Sequence, residues 1–382
     1  MKQYAYIGCW GRISPDNPLG ISAFEYEDGN FKLLETYDTD ARIGSIEISG
    51  DNLYVTDEAK EYKGAPCGGG RFFTYKISED GRLNKASWEK SFGVFPCYVS
   101  LSLDKKYAVI VNHSNNRGVA TKTAFVDGDY RVVLDRNESN VVLFRLKEDG
   151  CIDKAVDIIN LTDFNGEKHP MSMPHSVRRM KDKDIFFVIE NGDDRIYRFK
   201  LNESSEKLEL LNDTFCAEKN SYPRYSAMSP DGQYLYVDDE KRPFVNTFKI
   251  DQTDGKLELL QSIRMIPEDQ PLVQEKIVAP AAISPSDIII DEKGQNIYTA
   301  CRGTNTITVF AVGADNLLSV KQVIDCGGNY PRSLQFDPEE KYLFCCNMDA
   351  NIISVFAKQP DGTIVKHKDI EYHAPGVIKF IK

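Results

Sequence analysis

Residues Tyr222–Leu260 read YPRYSAMSPDGQYLYVDDEKRPFVNTFKIDQTDGKLELL, four short segments of alternating or β-rich character. The breaks are Ser229-Pro230-Asp231-Gly232, Asp239-Glu240-Lys241-Arg242-Pro243 and Thr253-Asp254-Gly255-Lys256. Each break is built from residues that supply turn chemistry. The stretch therefore predicts a four-stranded antiparallel meander.

The same grammar recurs. Asp28-Gly29-Asn30-Phe31, Asp80-Gly81-Arg82-Leu83, Asp149-Gly150-Cys151-Ile152, Asp254-Gly255-Lys256-Leu257 and Asp361-Gly362-Thr363-Ile364 share a D-G-x-apolar pattern. Degenerate copies at Glu206-Lys207-Leu208 and Asp315-Asn316-Leu317 bring the count to seven. Tight hairpins need positive φ at their central residues, which Gly and Asp tolerate. A second anchor opens each unit: Ile43-Gly44-Ser45, Phe95-Pro96-Cys97, Met173-Pro174-His175, Tyr222-Pro223-Arg224, Ser284-Pro285-Ser286, Tyr330-Pro331-Arg332 and Ala374-Pro375-Gly376. Units of ~40–50 residues with four strands each are the signature of a β-propeller.

The termini complete the count. The chain ends in APGVIKFI, one inner strand, and opens with YAYIGCW, GISAFEY and NFKLLETY, three strands without an inner one. Joined, they form one blade and remove the open edges of a linear array. The expectation is an all-β, seven-bladed propeller spanning residues 1–382 as one domain. It carries insertions at about residues 114–138 and 266–283.

Composition narrows the class. Hydrophobic residues make up 41% and charged residues 27%, and no apolar run approaches the ~18 residues of a membrane span. The start MKQYAYIGCWGR lacks the apolar core of a secretory signal, so the expected location is the cytoplasm. Nine cysteines without a C-x-x-C pair fit reduced thiols. Forty-seven basic against 58 acidic residues leave a net charge of −11, which argues against nucleic acid as a partner. Membranes are likewise not expected, and a homodimer is left open. No spaced ligand motif calls for a metal or other cofactor.

Topology turns sequence position into space. In an antiparallel meander the start of the first strand lies beside the end of the second. Residues following each opening proline and each second strand thus ring one face of the central channel: His175, Arg224, Arg332, Glu58, Asn112, Glu190, Glu240, Arg302 and Asn347. His113, next to Asn112, points either into this site or into the insertion. Both insertions are expected on this face, over a pocket. Three arginines, a histidine and several carboxylates suit a small anionic ligand, with Arg holding an oxyanion and His or Glu moving a proton.

Plainer readings exist for each. His175 also suits a satisfied inner-strand histidine, and the arginines suit inter-blade ties to Glu58, Glu190 or Glu240. Asn112 and Asn347 suit strand-end caps. His169 fits a surface loop, and the Arg178-Arg179-Lys181-Lys183 cluster a solvated edge at the opposite end of the channel.

The succession PCY, PHSV, ENGDDRIYRF, PRYSAMSPDGQYLYVDDE, ACRGTNTITVF and PRSLQFDPEEKYLFCCN resembles the seven-bladed lactonase family across nearly the whole chain. That family groups bacterial propeller-type 6-phosphogluconolactonases with the fungal carboxy-cis,cis-muconate lactonising enzyme, or carboxymuconate cyclase. The resemblance implies a metal-independent channel site with His175, Arg224, Glu240 and Arg302 as its catalytic set. Arg332, Glu58, Asn112, His113, Glu190, Asn347, Tyr98 and Tyr225 would surround the substrate. Tyr98, Val177 and Tyr225 stand where many members carry histidine; Asp239 and Ala300-Cys301 are further departures. The expected activity is hydrolysis of a small phosphorylated or carboxylated lactone, or its formation from an unsaturated acid. In either direction Glu240 or His175 handles the proton. The alternative class is a non-catalytic propeller that binds a protein or a small anion on one face.

Overall fold

The computed structural model describes residues 3–11, 19–62, 68–114, 120–135, 138–164, 166–169, 171–215, 218–270 and 283–381. Within them lie seven four-stranded antiparallel sheets. Inner strands Ile43–Ser49, Pro96–Leu101, Pro174–Arg179, Pro223–Met228, Ser284–Ile290 and Pro331–Phe336 open blades 1 to 6, and Pro375–Ile381 is the inner strand of blade 7. Each inner strand contacts the next, and the last contacts the first, so the blades close into a ring. In blade 7, Pro375–Ile381 pairs with Gln3–Cys9, followed outward by Ile21–Glu27 and Asn30–Tyr37, the closure expected from the two termini.

The outer turns show why the D-G pattern repeats. Gly29, Gly81, Gly150, Gly255 and Gly362 have φ between 74° and 88°, while Glu206 and Asn316 in the degenerate copies take 53° and 61°. A tyrosine on the second strand of one blade caps the turn of the next. Tyr6, Tyr54 and Tyr298 donate to the carbonyls of Gly81, Gly150 and Gly362 at 3.1, 3.1 and 2.7 Å. The turn is thus an inter-blade tie as well as a hairpin.

The core lies between blades. Seven apolar clusters each join two neighbouring blades. Second strands such as Ile185–Glu190 are buried throughout, whereas the outer strand Leu83–Lys90 is mostly exposed. A sheet covered on both faces reads as a near-continuous apolar run. Adjacent Cys345 and Cys346 sit in two different clusters, one on each face of blade 6. Phe344 is fully buried in the seam with the closing blade, with ring centroids 5.4 and 5.1 Å from Phe31 and Phe380. Phe344→Ala is expected to cost about 3–5 kcal/mol, read from the shift in urea-unfolding midpoint.

One irregularity recurs in every inner strand. Pairing runs Pro174↔Glu190 and then Ser176↔Ile189, skipping His175; Pro331↔Asn347 and then Ser333↔Cys346, skipping Arg332. The same slip skips Gly44, Cys97, Ser286 and Gly376, and in blade 4 it frees both Arg224 and Tyr225. A bulge leaves its extra residue unpaired and re-aims the side chain. An opening proline, lacking an N–H, belongs at such a strand start.

The insertion after Ser114 contains a two-stranded hairpin, Ala120–Val126 with Asp129–Asp135. Of the 266–283 insertion, residues 271–282 lie outside the described residues. Among the described residues no helix is long and apolar enough to cross a membrane.

Candidate active site

The bulges set seven residues at equivalent positions around the channel: Gly44, Cys97, His175, Arg224, Ser286, Arg332 and Gly376. The large polar ones are interleaved with small ones, and the glycines are space-limited. A Cβ on Gly44 would lie 2.8 Å from Glu58 Oε2, and one on Gly376 would lie 2.7 Å from Trp10 Cβ. Glycine at these bulges leaves room for Glu58 and Trp10 to stand beside Arg332.

A second register rule supplies the other wall. In blades 1 to 5 the residue paired with the inner strand's opening position (Pro285 in blade 5) is buried, and its successor lines the channel. Asp57, Asn112, Glu190, Asp239 and Cys301 are followed by Glu58, His113, Asn191, Glu240 and Arg302. These five successors, with Trp10, His175, Arg224 and Arg332, line a cavity of about 400 Å³. Phe95, Tyr222 and Tyr330 precede the opening prolines with φ of 56°, 56° and 60°, and all three line the cavity. Positive φ at a bulky residue costs about 1–3 kcal/mol and clusters where a site over-determines the backbone.

Glu240 is the hub. Its Oε1 accepts from Arg302 Nη2 at 2.7 Å and lies 3.6 Å from Arg224 Nε, while Oε2 accepts from Asn191 Nδ2 at 2.9 Å. Burial works to raise this carboxyl, but the Arg302 and Arg224 charges outweigh it and hold the group down at about 2. It is a carboxylate at neutral pH, with one hydrogen bond to each oxygen. Arg302 also donates to Ser284 O at 3.0 Å, Pro285 O at 3.1 Å and the Tyr330 hydroxyl at 3.0 Å. Arg332 pairs with Glu58 at 2.6 Å and lies over the Trp10 ring at 4.3 Å.

Arg224 donates Nη1 to Ser286 O. Its guanidinium lies 4.4 Å over the Tyr225 ring, and Nε is buried without a hydrogen bond. Among the described residues no hydrogen bond runs from Nη2, and Arg224 lines the cavity. Among the described residues His175 has a buried, unbonded Nδ1 and no hydrogen bond from Nε2, and the residue lines the cavity. Its ring packs edge-on against Tyr225 and His113 at 5.2 and 5.1 Å. Burial first, then the Arg224 charge, pushes the His175 imidazole well below its usual value. His113 is pushed down too, chiefly by burial, and its Nδ1 lies 3.1 Å from Ser114 O. Both imidazoles are neutral at pH 7.

Five expected site residues fall elsewhere. Glu190 accepts from the backbone N–H groups of Met173 and Asp193, and burial together with the Asp193 charge pushes it up to about 7. Asn112 donates to Ser91 O at 2.8 Å and Asn347 to Cys326 O at 3.0 Å, the capping role. All three are the buried partners of opening prolines, and for Glu190 and Asn112 the next residue lines the cavity. Tyr98 and Tyr225, 5.4 Å apart, line a separate cavity of about 290 Å³ toward the other end of the channel. Arg178 also lines that cavity, donating to the Tyr98 hydroxyl at 3.2 Å and Ser226 O at 2.6 Å. It is therefore not at a solvated edge. His169 is likewise buried, 2.7 Å from Asp193. Asn191, Tyr222, Lys241, Tyr330 and Trp10 were not anticipated; counting one residue past each proline-paired position finds Asn191 and Trp10.

No group of three or more His, Cys, Asp or Glu side chains suited to a metal occurs among the described residues. The family model described as "Lactonase, 7-bladed beta-propeller" matches residues 4–380. The chain is 23% identical over 365 residues to a 6-phosphogluconolactonase of Bacillus subtilis (strain 168), covering 93% of this chain and 92% of that one. In solved structures it is similar to the periplasmic gluconolactonase of Pseudomonas aeruginosa, with a TM-score of 0.80, 19% identity and coverage of 100% and 99%. It is similar also to a Lactobacillus plantarum protein, with a TM-score of 0.78, 19% identity and complete coverage of both chains.

Proposed function

The chain belongs to the seven-bladed β-propeller lactonase family, and from that premise we propose that it hydrolyses a small anionic sugar lactone of the 6-phosphogluconolactone type. The observation that carries this reading is that His175 and Arg224, each with a buried nitrogen unbonded among the described residues, line one cavity. Lysine and three arginines against two glutamates leave that cavity with a net charge of +2. An anionic substrate suits it, and the chain's overall charge of −11 makes the local sign informative.

In this reading His175 Nε2 takes a proton from water as the hydroxide oxygen adds to the lactone carbonyl carbon. The carbonyl π electrons move to oxygen, where Arg224 Nη2 meets the oxyanion. When the tetrahedral intermediate collapses, the ring C–O bond breaks and the leaving alkoxide takes the proton back from His175. Glu240 does not compete as base: its carboxylate holds Arg302 and Arg224 in place. Asn191 in turn holds Glu240 at 2.9 Å. Losing a hydrogen bond to a charged group is worth about 1.5–3 kcal/mol, so Asn191→Ala is expected to lower kcat/KM about tenfold or more.

The deciding experiment is acid release by purified protein above the spontaneous rate, with 6-phosphogluconolactone, a carboxylated muconolactone and neutral gluconolactone as substrates. Turnover of 6-phosphogluconolactone is expected. No turnover of any of the three overturns the hydrolase reading.

A further inference from the structure

Resting on the lactone-hydrolase reading, we propose that Lys241 forms a separate subsite for an anionic group remote from the lactone carbonyl. The preferred substrate is then a lactone carrying a terminal phosphate, oriented with that phosphate at the cavity rim and the ring ester at His175.

The cavity's four positive charges are not equally free. Arg302 is committed through Nε, Nη1 and Nη2 to Ser284 O, the Tyr330 hydroxyl, Pro285 O and Glu240. Arg332 is neutralised by Glu58 at 2.6 Å. Arg224 shares Glu240 and is almost wholly buried at 1% exposure, which suits the reacting carbonyl better than a hydrated terminal group. Lys241 differs: among the described residues it has no carboxylate within ion-pair distance, and it is exposed. Its ammonium rests 3.8 Å over the Tyr222 ring. A cation held on an aromatic face is ordered while its N–H donors stay available to a ligand.

The surrounding chain holds this arrangement. Glu240 N and Lys241 N donate to Tyr222 O and Ser221 O at 2.6 and 3.4 Å, so the lysine and the ring beneath it belong to one backbone unit. The next residue, Arg242, is already used: it pairs with Glu218 at 2.7 Å and lies over Phe244 at 4.5 Å. In the run Asp239-Glu240-Lys241-Arg242-Pro243, Lys241 is the cation left for a ligand. Lysine binds phosphate as a point charge, and a rim cation on an acidic protein also favours capture of an anion.

The test uses the full chain and its Lys241→Ala and Lys241→Arg variants. Calorimetry would measure binding of 6-phosphogluconate and of gluconate, and kinetics would measure kcat/KM for the phosphorylated and neutral lactones. Lys241→Ala is expected to cut the ratio of phosphorylated to neutral kcat/KM by about tenfold or more, mainly through KM, with Lys241→Arg restoring most of it. Affinity for 6-phosphogluconate should fall in parallel. An equal loss on both lactones, or an unchanged ratio, overturns the subsite. A wild type that turns over lactones without preferring the phosphorylated one also overturns it, while leaving the hydrolase reading intact. A protein that hydrolyses nothing but binds 6-phosphogluconate through Lys241 supports the subsite and removes the hydrolase reading.

Discussion

Arg224→Ala is expected to lower kcat for lactone hydrolysis by about 10²- to 10³-fold, the loss typical of removing one donor from an oxyanion site. The effect should fall on kcat more than on KM, because the donor is needed most once negative charge has formed on the carbonyl oxygen. Arg224 also fills the channel beneath the cavity at 1% exposure and caps Ser286 O, so the variant's far-ultraviolet circular dichroism must first match the wild type. Arg224→Lys supplies the second reading: it keeps the charge but loses the planar fork, and intermediate activity is expected. A folded Arg224→Ala protein with turnover within threefold of wild type would remove this arginine from the reaction.

His175→Ala is expected to cost about 10²- to 10⁴-fold in kcat, the range for a lost general base. The pH profile carries the sharper test. Burial and the neighbouring arginine charges hold the imidazole well below its ordinary value near 6.5. The active species is the neutral base, present above that depressed value and lost below it. The acid limb of the kcat/KM profile that belongs to His175 should therefore lie below the ordinary imidazole value of about 6.5. Glu240, held at about 2, contributes no further limb near neutral pH. A midpoint at or above 6.5 would contradict the assignment of His175 as base.

The comparison of the two levels turns on register. The D-G turns, the opening prolines and the split blade were legible because each depends on local chemistry: a positive φ, a missing N–H, an alternating run. His175, Arg224, Arg302, Glu240, Arg332, Glu58 and His113 were also legible, since antiparallel pairing alone puts those positions at one end of the channel, and all seven line one cavity. Glu190, Asn112 and Asn347 were displaced by a single residue. Each is the buried partner of an opening proline, and after Glu190 and Asn112 it is the next residue, Asn191 or His113, that lines the cavity. Strand periodicity of two makes a one-residue offset a change of face.

What the amino-acid order determined by itself was the repeat: seven meanders, their turns and the ring closed by both termini. These follow from short-range conformational preference and from edges that must be paired. Which side chains meet was decided only by the closed ring. The bulges free His175, Arg224 and Arg332 from pairing. Glycines 44 and 376 make way for Glu58 and Trp10, and Glu240 of blade 4 binds Arg302 of blade 5. Charge balance inside the cavity, and with it the ionisation of Glu240 and His175, depends on distances between blades. Those distances do not exist until the ring is assembled.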